Sequence, residues 1–253
     1  YTIRVCLQGV AAMTGQIAAY MGIAQEKLKV LGRDVGGGFG QRSTVYPEYC
    51  MTLYAAKQLG RPVKWVSSRS EGFMTDTHGR GNIGSGELAI DASGRFVALR
   101  FDWITDQGGY IASGGVGYLR NIINCLTGVY AIPVAHARFR VALTNTGIVA
   151  SFRGAGRPDI AYAVERLVDE AARELGIDRV ELRRRNFIPP ESFPYKTATG
   201  TVYEVADLPG LLDKALAQAD WVGFERRRAI TAAKGKLRGI GIAAMVEGSA
   251  PGN

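Results

Sequence analysis

A glycine-rich loop, an amphipathic helix ending in Leu-Gly and a short strand follow one another twice in this chain, over residues 36–65 and 154–182. A looser third copy, ending in Met-Gly, covers residues 8–31. Alternation of this kind favours a mixed α/β fold (α+β in its segregated parts) over an all-helical or all-β one. The copies do not form a solenoid, because a β-rich insertion breaks the period between them. The glycines, 33 in 253 residues, sit in loops beside apolar segments rather than in a linker. Loops of this composition hold the backbone close to something.

The elements follow from periodicity and punctuation. Val10, Met13, Ile17 and Met21 fall at helical spacing and predict a helix over 10–20, with a strand over 27–31 after it. Pro47 suits the first turn of a second helix over 45–58, which Gly60 stops. Residues 62–66 then read as a strand. Runs 87–90 and 96–105 flank Asp91-Ala92-Ser93-Gly94 and predict a hairpin; residues 108–117 form another glycine-rich loop, and 137–143 alternate like a strand. The best-signalled helix starts at Pro158, carries Ile160, Val164, Leu167, Val168, Ala171 and Leu175 on one stripe, and ends at Gly176. Glu165, Asp169 and Glu170 read as solvated charges on its polar side. Shorter helices are expected over 180–185, 208–219 and 224–233, and a last strand over 238–246. The chain opens and closes on strand-like runs, so we expect a segment of a longer polypeptide.

Composition removes some function classes. Net charge is +8, which fits a solvated basic surface, an anionic ligand or an acidic partner. Nucleic acid is not expected, since the basic residues are scattered without interleaved aromatics. Cys6, Cys50 and Cys125 are too far apart for a C-x-x-C pair, so neither an iron–sulfur nor a structural zinc site is expected within the chain. Widely spaced thiols in odd number suit a reducing compartment. His78 and His136 stand far apart and read as structural. No apolar run is long enough to span a bilayer.

The chemistry resides in the loops. Free N–H groups at a helix N-terminus attract anions, and glycines let a bulky ligand approach them. Gly36-Gly37-Gly38-Phe39-Gly40 and Ser151-Phe152-Arg153-Gly154-Ala155-Gly156-Arg157 each precede a helix, and the second adds arginines suited to phosphate or planar groups. Phe39, between glycines, is placed to show its ring to a site. The first loop is neither a dinucleotide fingerprint nor a P-loop, lacking both G-x-G-x-x-G and Gly-Lys-Ser/Thr. On the residues alone, simple turns and cofactor cradles stay equally open.

These motifs resemble the molybdenum hydroxylases, the family of xanthine dehydrogenase, aldehyde oxidase and aerobic carbon monoxide dehydrogenase. Val35 to Gly40 looks like the family's glycine loop beside the molybdenum centre, and Ser151 to Pro158 like its second signature, whose arginine contacts the pterin. Gln8 lies where the family has a glutamine that hydrogen-bonds the apical oxo group. The resemblance implies a fold with residues 1–237 as the first molybdenum-cofactor-binding domain and residues 238–253 as the start of a second. It implies cofactor contacts from Gly37, Gly38, Phe39, Gly40, Phe152, Arg153 and Gly154, and a substrate pocket reaching Ala155 and Ser43. The metal would be held by the pterin dithiolene, in a molybdopterin cytosine dinucleotide cofactor, so no side chain need ligate it. The family's general base, a glutamate, would fall outside this chain, and Glu247 is not its counterpart. The chain alone is therefore expected to be inactive.

The resemblance also implies an iron–sulfur small subunit carrying [2Fe-2S], a medium subunit carrying FAD, the remainder of the large subunit, and a dimer of heterotrimers, cytoplasmic or associated with the inner membrane. The reaction it implies is oxidation of a small molecule with water as the oxygen source. Departures narrow the substrate. Copper-binding carbon monoxide dehydrogenases carry a cysteine where this chain has Gly154, and purine-oxidising members an aromatic residue at Ala155 and a glutamate near Ser43. An aldehyde or an N-heteroaromatic compound is the expected substrate. A non-catalytic scaffold that keeps the fold without the chemistry is the alternative.

Overall fold

The computed structural model describes residues 1–112 and 115–248. Parts of the expected 108–117 loop and of the expected second-domain start, residues 113–114 and 249–253, lie outside the described residues. The chain divides into two compact units. Unit 1 comprises Tyr1–Asn82, Ile104–Arg120 and Arg140–Gly156; unit 2 comprises Ile83–Trp103, Asn121–Phe139 and the chain from Arg157 onward.

Unit 1 begins with β1 (Thr2–Arg4), α1 (Val10–Met21) and β2 (Lys29–Leu31), in which β1 and β2 pair in parallel with Ile3 opposite Val30. Gly22, left-handed at φ 62°, ends α1 as the sequence predicts. Met13 and Ile17, four residues apart, bury one face of α1. Next comes α2 (Pro47–Leu59), with Pro47 in its first turn and left-handed Gly60 at its end. Its buried pair, Tyr49 and Leu53, joins Ile3, Leu7, Met13, Ile17, Leu28 and Val30 in one core. Burial of apolar side chains of this size stabilises by roughly 1.5–3 kcal/mol each. Burial also raises the Tyr49 hydroxyl to about 12.

The expected strand over 62–66 is absent: those residues pair with nothing among the described residues, and Val66 is 72% exposed. A short helix the sequence reading missed, α3 (Arg69–Thr75), follows instead. Ser68 and Glu71 form a reciprocal capping box at its start.

The β-rich insertion is a three-stranded sheet of β3 (Asn82–Ile90), β4 (Phe96–Asp106) and β5 (Val134–Ala142), in that order. Its first turn is the predicted one: the Asp91 carboxylate accepts from the Ser93 and Arg95 N–H groups at 2.8 and 3.0 Å, and Gly94 takes φ 83°. Another helix absent from the sequence reading, α4 (Gly117–Asn124), lies between β4 and β5.

In unit 2, α5 (Arg157–Leu175) buries Ile160, Val164, Val168 and Ala172, and left-handed Gly176 follows it. The stripe thus ends on Ala172; Leu175 is 48% exposed. Next are α6 (Arg179–Asn186), with Asp178 capping the Val180 and Glu181 N–H groups, the two-stranded β6 (Tyr195–Lys196) and β7 (Val202–Tyr203), α7 (Leu208–Gln218) and α8 (Phe224–Ala232). The mixed α/β class expected from the sequence is the one observed.

Two expectations fail in this unit. Glu165 is buried rather than solvated, and Asp169, half-exposed, is tied to the same buried arginine. Arg183, fully buried, donates through Nε to Glu165 at 2.9 Å and through Nη2 to Asp169 at 2.8 Å, and the Tyr130 hydroxyl donates to Glu165 as well. Burial and the neighbouring Glu165 carboxylate push the Tyr130 hydroxyl far above its usual range, so it stays a donor. Glu170 is a surface charge as expected, paired with Arg166 and Arg173. The second failure is the strand over 238–246. The segment forms no strand, and backbone groups in it bond to side chains instead. Arg179 reaches the Ile240 carbonyl at 3.1 Å, and Glu165 accepts the Ala244 N–H at 3.0 Å.

Candidate functional site

The site residues come together in unit 1. The loop before α1 places Gln8 where its backbone N–H donates to the Arg42 carbonyl at 2.8 Å. Its side-chain oxygen accepts from the Gly40 N–H at 2.8 Å. Gln8 is thereby held by both ends to a segment more than thirty residues away, and its carboxamide NH2 remains free among the described residues. Gly38 has to lack a side chain, since a Cβ there would overlap the Gln8 carboxamide. The glutamine and the glycine loop are a fitted pair.

The glycine loop also fits the second loop. A Cβ on Gly40, at φ 91°, would run into the Ser151 carbonyl. The Arg153 N–H donates to the Phe39 carbonyl at 2.9 Å, and the Arg153 guanidinium lies 5.7 Å from the centre of the Phe39 ring. Phe39 itself takes a left-handed φ of 53° and is exposed. Gly154 has φ 89°, and Ala155, at φ 42°, closes a tight turn by donating to the Phe152 carbonyl at 2.6 Å. Phe152 and Ala155 are half-buried; Ser43 is exposed, and its hydroxyl donates to the Gly40 carbonyl, so it points back at its own loop.

Two kinds of polar group are left without a protein partner. Among the described residues, the N–H groups of Gly36, Gly37, Gly38 and Phe39 meet no acceptor, and the Arg153 guanidinium meets no carboxylate. A cluster of open donors beside a cation and an aromatic face suits a planar, anionic, hydrogen-bond-accepting ligand.

A third segment, overlooked by the sequence reading, supports the pair. Arg80 donates to the Arg153 carbonyl at 2.7 Å, and its guanidinium lies 4.9 Å from the centre of the Phe152 ring. The signal was available: Gly79-Arg80-Gly81 repeats the pattern of Gly38-Phe39-Gly40, a large residue between glycines. His78, two residues earlier, is structural in its geometry. It bridges in parallel to Val149, with the His78 N–H on the Ile148 carbonyl at 3.1 Å and Ala150 donating back at 2.9 Å. His136 belongs to unit 2 and lines a surface pocket with Glu87, Arg100, Asp102 and Arg138.

Residues 1–187 match the family described as the molybdopterin cofactor-binding domain. The chain is 34% identical over 240 residues to the carbon monoxide dehydrogenase large chain of Hydrogenophaga pseudoflava, covering 91% of this chain and 30% of that one. It is 32% identical over 236 residues to the nicotine 6-hydroxylase large subunit of Paenarthrobacter nicotinovorans, covering 92% and 29%. In three dimensions it is similar to quinoline 2-oxidoreductase from Pseudomonas putida 86, with a TM-score of 0.85, 30% identity, and coverage of 92% of this chain and 30% of that one. The chain therefore spans about 30% of the length of these relatives. With the family match running through β1, both glycine loops and α6, the chain belongs to the molybdopterin cofactor-binding domain family.

Proposed function

We propose that this chain is part of the catalytic subunit of a molybdenum hydroxylase, in which the cluster of Gln8, the 36–40 loop and the 151–156 loop holds the molybdopterin. The observation that carries the reading is the junction of the three segments. Gln8 bonds to Gly40 and Arg153 bonds to Phe39, so the residues picked out by resemblance are neighbours. The residues also fit the group. A pterin bearing phosphate offers acceptors and negative charge, and this cluster offers open N–H donors, a free guanidinium and an aromatic face.

When bound, the molybdenum–pterin group supplies Lewis acidity and takes up the electron pair of the oxidised carbon. The protein's part is to bind and orient. The backbone of Gly37, Gly38 and Phe39 donates hydrogen bonds and lets the group come close. Gly40 turns the chain so that its own N–H fixes the Gln8 oxygen. The fixed oxygen leaves the Gln8 NH2 to donate toward the cofactor. Arg153 and Phe152, with Gly154, close the second side. Ala155 and Ser43 leave room for substrate in a pocket that carries neither an aromatic residue nor a glutamate at these positions.

The absence of those two residue types favours an aldehyde or N-heteroaromatic substrate, oxidised with water as the oxygen source; nicotine and quinoline, in the names of two relatives, are N-heteroaromatic. Gly154 has no thiol to bind copper, which disfavours carbon monoxide. Cytosine dinucleotide is the proposed form of the cofactor. FAD and [2Fe-2S] on medium and small partner subunits, a dimer of heterotrimers and a cytoplasmic or inner-membrane-associated location complete the reading. Residues 1–237 would form the first cofactor domain and residues 238–253 would begin the second. No helix among the described residues is long and apolar enough to cross a membrane.

Two substitutions in the parent enzyme test the assignment. Arg153→Ala removes a charged hydrogen bond worth roughly 1.5–3 kcal/mol, and molybdenum occupancy falls. Gln8→Ala leaves occupancy largely intact and slows turnover. Unchanged occupancy in the first, or unchanged kinetics in the second, removes that residue from the site.

A further inference from the structure

We infer that Arg80 is a positioning residue for the cofactor, acting through Arg153; the inference rests on the molybdopterin reading above. Four of the five non-glycine residues with positive φ among the described residues belong to the segments around this site: Asp34, Phe39, Arg80 and Ala155. Such a conformation costs a non-glycine residue roughly 1 kcal/mol or more, so the surroundings must hold it. At Arg80, with φ 72°, the holding contacts are visible. Gly79 lets the Phe152 side chain pack against the backbone, where a Cβ would stand 3.1 Å from the Phe152 Cβ. The Arg80 guanidinium then covers the Phe152 ring and donates to the Arg153 carbonyl.

Arg80 thus fixes the two residues that flank the peptide bond from Phe152 to Arg153. One contact sets the Phe152 ring, and the other sets the Arg153 carbonyl and with it the plane of the peptide from Arg153 to Gly154. The direction in which the Arg153 side chain leaves the backbone is set by the two peptide planes that meet at its Cα, of which Arg80 holds the later one. Its N–H, on the other side, is already fixed to Phe39 at 2.9 Å. The outcome is a ladder of two arginine–phenylalanine stacks, Arg80 on Phe152 and Arg153 on Phe39. Only the second arginine sits beside the open N–H groups. The first spends both its flat face and a donor on protein, which marks it as a brace rather than a ligand contact. Only arginine combines a flat face with a fork of donors; lysine lacks the planar face.

The test is the rate of molybdenum and pterin loss from the purified holoenzyme on dilution, for wild type, Arg80→Met, Arg80→Lys, Arg153→Ala and the Arg80→Met/Arg153→Ala pair. Arg80→Met should release cofactor about tenfold faster, the scale of one lost charge-assisted hydrogen bond. Arg80→Lys should fall between wild type and Arg80→Met. In the Arg153→Ala background, Arg80→Met should add little, because the two act as one unit. Wild-type release in Arg80→Met, or full additivity in the pair, overturns the inference. If Arg80→Met fails to fold, Arg80→Lys decides, and wild-type release there overturns it. If the wild-type protein carries no pterin, the molybdopterin reading fails instead. The brace is then tested in the cofactor-free protein by hydrogen exchange of the Arg153 amide, which Arg80→Met should accelerate and which an unsupported brace leaves unchanged.

Discussion

Two arginines set the two regions of this molecule apart. In unit 2, Arg183 is fully buried and meets Glu165, Asp169 and the carbonyls of Arg179 and Ile242. In unit 1, Arg153 is exposed, stacks on Phe39 and meets no carboxylate among the described residues. The first arrangement satisfies its own polar groups and organises the chain around it, including the segment that reaches Glu165 through Ala244. The second is equally well fixed in its backbone but leaves its donors open. Fixed backbone with unsatisfied donors is what a ligand site needs, whereas a buried charge without partners would be costly.

The largest expected effect breaks the satisfied side. Glu165→Leu leaves Arg183 buried with Asp169 as its one carboxylate partner among the described residues. Removing one member of a buried pair costs about 3–5 kcal/mol. Urea unfolding should show that loss, and adding Arg183→Met should recover part of it. A loss below about 1 kcal/mol would mean that the pair is screened. Gly40→Ala attacks the open side next. It forces a side chain into the Ser151 carbonyl at a left-handed φ, a strain of roughly 1–3 kcal/mol, and should separate the two loops. Molybdenum content should then fall further than stability does. A variant with full molybdenum content would show that the loops need not touch.

Smaller effects sharpen the contrast. Asp178→Ala removes the cap of α6, the helix that carries Arg183, at a cost of about 1 kcal/mol. Because α6 belongs to unit 2, cofactor content should not change. Loss of cofactor in that variant would show that the regions are coupled. Smallest is the response to acid at Asp106 in unit 1. Burial alone would raise its carboxyl, but donors from Thr144, Gly108 and Thr146 outweigh that and hold it below the usual range. A depressed pKa in the folded state stabilises above the unfolded value, near 3.9. That stability is lost as pH falls through the folded value. Asp106→Asn should flatten the acid limb of the stability profile, and an unchanged limb would assign the acid sensitivity to other carboxylates.

Most of the open side was legible in the sequence, because its requirements are local. Positive φ and close approach call for glycine, and glycine is visible at positions 36–38, 40, 154 and 156. At Arg80 the flanking glycines were visible but the role was not, because its partners, Phe152 and Arg153, lie more than seventy residues away. The satisfied side was misread for a related reason. Glu165 falls at helical spacing with the buried Val168 and Ala172, so its position on the helix hinted at burial, but its acidity outweighed that hint. Its partner Arg183 opens a run of three arginines that reads as solvent-facing. The strands expected over 62–66 and 238–246 failed because strand composition is local while pairing is not. Residues 240 and 244 find side-chain partners where a neighbouring strand was expected.

Whether the open donors of unit 1 hold molybdopterin is decided by molybdenum and pterin per mole of the complex purified from its natural source. Near-stoichiometric molybdenum together with a pterin dinucleotide is the expected result. A complex with intact partner subunits and no molybdenum would contradict it, and would leave the glycine loops as a scaffold without its chemistry.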